Sequence, residues 1–239
     1  MRAVILAAGE GQRLRPLTKT VPKPMLTVAG KPILEHNIRL LVRYGVNEIA
    51  INTHHCASSI EDHFGDGSEF GAKITYSKEE QLRGTAGALL PLREFLTSTF
   101  LVLYGDNLTT CNIGALAERH LSKRAIVTLA VYRRENATAG GIVSIAADGR
   151  IVRFLEKPRR DQVFSSLVNA GIMVCDREIL DAIPPGVSDF GTDVLPALIR
   201  DEQPLFSYRM DERQEHLWWI DSPADYERTK KEVQPWALV

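Results

Sequence analysis

The chain has 239 residues, 44% apolar and 25% charged, with a formal net charge of −1. That is enough for one large globular domain, and it leaves no whole-chain basic excess of the kind that nucleic acid requires. Three widely spaced cysteines (Cys56, Cys111, Cys175) argue against a disulfide framework or a zinc knuckle, and no stretch approaches a membrane span, so a reducing, cytoplasmic setting is expected.

The opening MRAVILAAGEG is apolar for too short a run to span a bilayer and passes straight into a glycine motif, which argues for a buried strand rather than a signal peptide. Ala3–Ala7 therefore reads as a strand buried on both faces. A helix is expected from Pro32, with Ile33, Leu34, Ile38, Leu41 and Val42 at helical spacing up to Gly45, then a strand over Glu48–Asn52. Strand, helix, strand at the start implies an α/β fold with parallel strands. The pattern continues with a strand over Ile74–Ser77, a helix over Gly84–Leu96 and a buried strand over Phe100–Tyr104 that ends in Gly105-Asp106-Asn107. Ile126–Arg133 alternates. Gly141–Asp176 reads mostly as strands, with a hairpin turn at Asp148-Gly149. Helices are expected over Arg177–Ile183 and Thr192–Arg200. The last helix has a capped start at Ser222-Pro223-Ala224-Asp225.

Residues 9–24, GEGQRLRPLTKTVPKP, have the look of a phosphate-handling segment. The dinucleotide fingerprint G-x-G-x-x-G fails, because Leu14 stands where its third glycine would be. No window supplies the P-loop pattern. What remains is a loop after the first strand whose glycines let backbone amides approach a triphosphate, or a plain glycine turn with solvated basic residues. Arg13 offers a planar fork for phosphate oxygens and Lys23 a compact charge.

These residues resemble the signature of the sugar-1-phosphate nucleotidyltransferases. The resemblance runs to about Arg228 and rests on separate motifs in the family order: Gly9–Pro24, Gly84-Thr85-Ala86-Gly87, Gly105-Asp106, Glu156-Lys157-Pro158, Asn169-Ala170-Gly171 and Trp219-Ile220-Asp221. It implies a Rossmann-like three-layer α/β fold, a mixed and mainly parallel sheet with a strand-rich sugar-binding insertion. It also implies one domain over 1–239, with 1–135 mainly serving the nucleotide and 136–239 the sugar phosphate. No hexapeptide repeat follows residue 230, so no C-terminal β-helix domain is expected.

The reaction implied is in-line attack of a sugar phosphate oxygen on the α-phosphorus of a nucleoside triphosphate (NTP). The attacking oxygen is already ionised, so no general base is needed, and catalysis rests on positioning and cations. By resemblance, Arg13 holds the β- and γ-phosphates, Lys23 neutralises the phosphates at the reaction centre, and Asp106 and Asp221 hold Mg²⁺. The nucleotide loop is Leu6, Ala7, Ala8, Gly9 and Gly11, joined by Glu79, Gly84, Thr85 and Asn107. The sugar 1-phosphate falls to Gly141, Glu156, Lys157, Asn169 and Gly171. The partners implied are these small molecules, with neither nucleic acid nor membrane. A homo-oligomer is compatible with the sequence.

Glu79 bears on the base. Uridylyl and thymidylyl members commonly carry Gln five positions before the glycine of the Gly-Thr motif. A carboxylate there is acceptor-only, which suits the adjacent N1–H and N2–H donors of guanine. EEQLRGTAGAL is similar to the enzymes that make GDP-mannose and GDP-heptose, so GTP is expected. Glu79 or Glu80 facing solvent, with Gln81 reading the base, is the competing reading. Asp106-Asn107 resembles thymidylyl members instead, keeping UTP or dTTP with a hexose 1-phosphate in play. Gly140 replaces an aromatic found in many relatives, leaving room for a sugar larger than a hexose. Ser222-Pro223 lacks the Ile-Gly frequent after the second aspartate.

Two other classes compete. A nicotinamide-dependent oxidoreductase or epimerase lacks its third glycine and a Tyr-x-x-x-Lys pair here. A silent regulatory relative would be expected to lose Arg13, Lys23 or the aspartates, and all four are present. His54-His55 reads as a strand-end pair rather than a metal site, Trp218-Trp219 as core or sugar platform, and Lys230-Lys231 as a solvated helix end.

Overall fold

A computed structural model describes residues 1–233. The first strand, β1 (Arg2–Leu6), has three fully buried residues in its middle, Ala3, Val4 and Ile5. A short antiparallel pair, β2 (Thr27–Val28) and β3 (Lys31–Pro32), turns on Ala29 and Gly30, both at positive φ. The helix α1 (Ile33–Arg43) starts directly after Pro32 and buries Ile33, Leu34, Ile38 and Leu41, the stripe that the spacing predicts. It stops at Gly45, whose φ of 74° is the left-handed conformation that ends helices. Then come β4 (Glu48–Thr53), α2 (Ala57–Phe64) and β5 (Lys73–Lys78).

The helix expected over Gly84–Leu96 is a correction. Only α3 (Gly84–Gly87) is α-helical, followed by a 3₁₀ turn at Leu90–Leu92. Pro91 removes a backbone donor in the middle of the stretch and disfavours helix at the residue before it. The strand β6 (Phe100–Tyr104) is as expected, and β7 (Asn107–Thr109) follows it at once. Helix α4 (Ile113–Lys123) is capped by Asn112, whose side chain accepts from the Ala115 N–H at 3.0 Å. Strand β8 (Val127–Arg133) falls on the alternating run at Ile126–Arg133, and β9 (Ile142–Ile145), β10 (Ile151–Leu155) and β11 (Leu167–Cys175) fill the stretch read as strand-rich. Helix α5 is shorter than expected (Ile179–Ala182). The next helix opens with a wide π-helical turn at Phe190–Val194 before α6 (Leu195–Arg200). Strands β12 (Leu205–Arg209) and β13 (Leu217–Trp219) precede α7 (Pro223–Glu232). The Ser222 hydroxyl accepts from the Asp225 N–H and donates to the Asp225 carboxylate, the cap that the sequence announces.

The chain forms two compact units that interleave along the sequence. The first comprises Met1–Leu82, Leu103–Cys111 and the chain from Glu215; the second comprises Arg83–Val102 and Asn112–Gln214. In the first, β1, β4 and β5 are parallel, with Leu6 opposite Asn52 and Thr53 opposite Lys78 at their carboxyl ends. Ile49, Ala50 and Ile51 are fully buried, as strands covered on both faces require. An antiparallel pair, β7 with β13, sets Asn107 opposite Trp219. In the second unit β8 runs antiparallel to β11 and parallel to β12, while β9 pairs antiparallel with both β10 and β11. The architecture is thus α/β with a mixed set of strands, parallel throughout β1, β4 and β5. No described helix is long and apolar enough to cross a membrane.

Candidate active site

In the first unit, four charged side chains form a chain of alternating sign. Arg13 Nη2 donates to Asp221 Oδ1 at 3.1 Å, Lys23 Nζ lies 3.6 Å from the same oxygen, and Lys23 Nζ donates to Asp106 Oδ2 at 2.7 Å. The Lys23 side chain is only 7% exposed, while that of Arg13 is 64% exposed. A buried ammonium is tolerable only when paired, and here two carboxylates pair it.

Local packing explains how residues up to 208 positions apart meet. Leu14, Leu26, Leu108 and Ile220 share one apolar cluster with Val28, Ile33, Tyr226 and Val233. Each of the four charged residues lies within three positions of one of those anchors. Continuing the β7–β13 register past Asn107 and Trp219 brings the two aspartates to the same end of the ladder. Gly105 allows the turn: an added Cβ would come within 2.9 Å of Ile5 Cγ2 and 3.0 Å of the Leu6 carbonyl oxygen, to which the Gly105 N–H donates at 2.9 Å. Asn37, fully buried on α1, donates to the Asn107 carbonyl at 3.0 Å and steadies the same strand.

The glycine loop has a matching logic. Gly11 sits at φ 61°, and a Cβ there would lie 3.0 Å from Thr18 Cγ2 and 3.1 Å from Lys23 Cβ. Glycine is what lets the Thr18 and Lys23 side chains pack against this turn. The Thr18 hydroxyl donates to the Gly11 carbonyl at 2.7 Å, and His55 Nε2 lies 3.2 Å from the Thr18 carbonyl. A Cβ on Gly9 would meet nothing within 4 Å. The first loop residue, Ala7, donates its N–H to Asn52 Oδ1 at 2.6 Å, and Asn52 Nδ2 donates to Glu79 Oε1 at 2.7 Å. Both side-chain partners are buried, each residue 4% exposed. Glu79 therefore does not face solvent, whereas the neighbouring Glu80 and Gln81 are exposed. His54 Nδ1 lies 2.8 Å from the Glu79 carbonyl, so the histidine pair brackets the loop at strand ends, as expected.

In the second unit, Gly141, Glu156, Lys157, Asn169 and Gly171 come together. The Glu156 carboxylate occupies a slot between two glycines. A Cβ on Gly141 would lie 2.7 Å from Glu156 Oε2, and one on Gly191 would lie 2.6 Å from the same atom. Lys157 Nζ stands 3.8 Å from Glu156 Oε1, and the Lys157 N–H donates to the Gly140 carbonyl at 3.2 Å. The Asn169 N–H donates to the Gly141 carbonyl at 2.8 Å. Asn169 Oδ1 in turn accepts from the Gly171 N–H, bracing an irregularity in β11 between Asn169 and Met173. Gly84 and Thr85 belong to the same unit. The Thr85 N–H and hydroxyl both donate to Asp189 Oδ1, at 2.9 and 3.0 Å, and the Ala86 and Gly87 amides donate to the Ser188 carbonyl. Thr85 thus locks the 188–190 loop. Gly191 and Asp189 lie in no motif, and nothing in their local sequence signals a place in the site.

Burial pushes the Glu156 carboxyl above its ordinary value; Lys157 opposes this and Asp189 adds to it. A native state that holds this proton more tightly than the unfolded chain is destabilised as pH rises from the ordinary value through the raised one. Glu156→Gln removes that contribution. The difference in melting temperature, variant minus wild type, should therefore grow as pH rises from about 4 to 7. A pH-independent difference would contradict it.

Leu6, Ala7, Ala8, Gly9, Gly11, Arg13, Lys23, Glu79, Asp106, Asn107 and Asp221 thus fall in the first unit, and the sugar-side set with Gly84 and Thr85 in the second. Asn52, like Asp189 and Gly191, is not signalled by any motif of the sequence. Trp218 packs against the apolar cluster, and Lys230 pairs with Glu227 on α7.

The nucleotidyl transferase family profile matches residues 2–224. A UTP–glucose-1-phosphate uridylyltransferase of Synechocystis is 36% identical over 236 residues, covering 92% of this chain and 60% of that protein. A mannose-1-phosphate guanylyltransferase of Mycobacterium tuberculosis is 38% identical over 204 residues, covering 83% of this chain and 55% of that protein. The chain spans a little over half the length of these relatives. A solved Bacillus anthracis protein, provisionally described as a glucose-1-phosphate thymidylyltransferase, shares the fold with a TM-score of 0.86 at 23% identity. That match covers 97% of this chain and 94% of that one.

Proposed function

Because the chain belongs to the nucleotidyl transferase family, we propose that it transfers a nucleotidyl group from an NTP to a sugar 1-phosphate, releasing pyrophosphate. The observation that carries this reading is the alternating array Arg13–Asp221–Lys23–Asp106 beside the glycine loop. An oxygen of the sugar phosphate forms the new bond to the α-phosphorus, and the bond from that phosphorus to the α–β bridging oxygen breaks. The negative charge leaves on pyrophosphate. No proton has to be removed from the nucleophile at neutral pH.

The protein's part is to bring two anions together and to accept the leaving charge. Lys23, held at low exposure, exchanges carboxylate for phosphate oxygen near the reacting phosphorus. Arg13, the more exposed cation, takes the outer phosphates and stabilises the charge on pyrophosphate as it leaves. Asp106 and Asp221 are hard oxygen donors against one ammonium, a set that fits Mg²⁺ completed by water and substrate phosphate. When bound there, Mg²⁺ would neutralise phosphate charge. In the second unit, ionised Glu156 accepts from sugar hydroxyls and Lys157 meets the sugar phosphate.

For the nucleotide we favour GTP. An acceptor-only carboxylate at position 79 suits guanine, and the Mycobacterium relative is a guanylyltransferase by name. For the sugar we favour a mannose- or heptose-like 1-phosphate: the likeness to a mannose-1-phosphate guanylyltransferase supports it, and the space at Gly140, where a Cβ would meet only Val168 Cβ at 4.0 Å, leaves room for the larger heptose. UTP or dTTP with a hexose 1-phosphate is the second reading, favoured by the name of the Synechocystis relative. Pyrophosphate release measured over a panel of NTPs and sugar 1-phosphates tests all of this. Turnover with GTP and mannose- or heptose-type phosphates is the expected result, and silence across the panel would refute the transferase reading. Glu79→Gln should lower the GTP-over-UTP rate ratio by about tenfold. An unchanged ratio would remove Glu79 from base selection.

A further inference from the structure

Beyond any contact with a base, we propose that Glu79 acts with Asn52 as a positioning pair that sets the first amide of the nucleotide loop, for every NTP alike. The inference rests on the nucleotide-binding role just proposed for that loop. The order of atoms is fixed by chemistry. The backbone N–H of Ala7 needs an acceptor and finds Asn52 Oδ1 at 2.6 Å. That choice turns Asn52 Nδ2 the other way, towards Glu79 Oε1 at 2.7 Å. Only a group that accepts can stand there. A carboxylate accepts whatever its rotamer, so it leaves the Asn52 amide one orientation.

The three residues lie just where the parallel ladder runs out. Leu6 is opposite Asn52 and Thr53 opposite Lys78, so Ala7 and Glu79 each take the next position beyond a paired residue. The side chains continue across three strand ends a connection that backbone pairing would otherwise drop. Glu79 is itself pinned: its N–H donates to the Thr53 carbonyl at 2.8 Å and its carbonyl meets His54 Nδ1. With both side-chain partners buried, water does not readily replace either link. The loop that follows Ala7 carries Gly9, Gly11 and Arg13, so a slack Ala7 amide would loosen all of them.

A donor-swap cycle tests this. Asn52→Asp keeps an acceptor for the Ala7 N–H but sets a carboxylate against the Glu79 carboxylate. Glu79→Gln alone still accepts from Asn52 through its amide oxygen. In the double variant the new amide nitrogen at position 79 donates to the new carboxylate at position 52, and the chain of bonds closes again with that link reversed in polarity. The expected result is that Asn52→Asp raises KM by about tenfold for GTP and for UTP by the same factor, at little change in kcat. The double variant should return to within about threefold of Glu79→Gln. Equal impairment of Asn52→Asp and the double variant would overturn the proposal. So would a loss of thermal stability in Asn52→Asp with KM unmoved, the mark of a purely structural contact. If wild type binds NTPs but turns over none with any sugar phosphate, the transferase reading fails by itself. The same four proteins then decide the pairing through nucleotide Kd.

Discussion

Replacing Lys23 by alanine is expected to lower kcat/KM by about a thousandfold, measured as pyrophosphate release, while circular dichroism shows a folded protein. The size follows from position. Lys23 is the least exposed member of the array and the only one of the four that touches both carboxylates. Its removal does two things at once. The reacting phosphates lose a cation held in a site of low exposure, where each charge interaction is stronger than in water. Asp106 and Asp221 are also left facing the incoming triphosphate without the ammonium that separates them. Arg13 cannot compensate, because within the array it contacts Asp221 alone and projects into solvent. A variant within about threefold of wild type would remove Lys23 from the chemistry.

The second large effect is expected at Asp106. Asp106→Asn keeps the size of the side chain and an oxygen for Lys23 Nζ, so the fold should survive with little change in melting temperature. The side chain is 37% exposed, and what it loses is charge. Under the proposal that Asp106 and Asp221 hold Mg²⁺, turnover should fall by about a hundredfold or more, and the Mg²⁺ concentration for half-maximal rate should rise by about tenfold. A lower rate with an unmoved Mg²⁺ titration would assign Asp106 to holding Lys23 instead, and near-normal turnover would exclude it from both roles.

How far the sequence carries is visible at particular residues. β1, β4 and β6 were legible because each centres on an unbroken apolar stretch, and α1 because its buried stripe has helical spacing and ends at Gly45. The Ser222 cap could be read from four letters. The array of charges could be named from motifs but not assembled from them. Its assembly depends on β7 pairing with β13, two three-residue strands too short to show a period, and on four anchors scattered from Leu14 to Ile220. Pro91 cuts the helix expected over Gly84–Leu96 because local backbone chemistry outweighs an apolar pattern. Asn52 looked like an ordinary strand residue, and Glu79, in the run Glu79-Glu80-Gln81, carried no hint of its burial. Both are side chains that turn inward to serve a backbone amide, and a single residue type does not announce that. The glycine slot around Glu156 was half legible: Gly141 lay in a motif, whereas Gly191 comes from a stretch without one.

The proposed activity passes a nucleotidyl group to a sugar phosphate rather than to water. Following the α-phosphorus tests it most directly. With α-labelled GTP, Mg²⁺ and the sugar 1-phosphate that supports turnover, all label consumed should appear in a nucleotide diphosphate sugar, with one pyrophosphate released per molecule formed. Label recovered as free guanosine mono- or diphosphate, or consumption unaffected by leaving out the sugar phosphate, would contradict it.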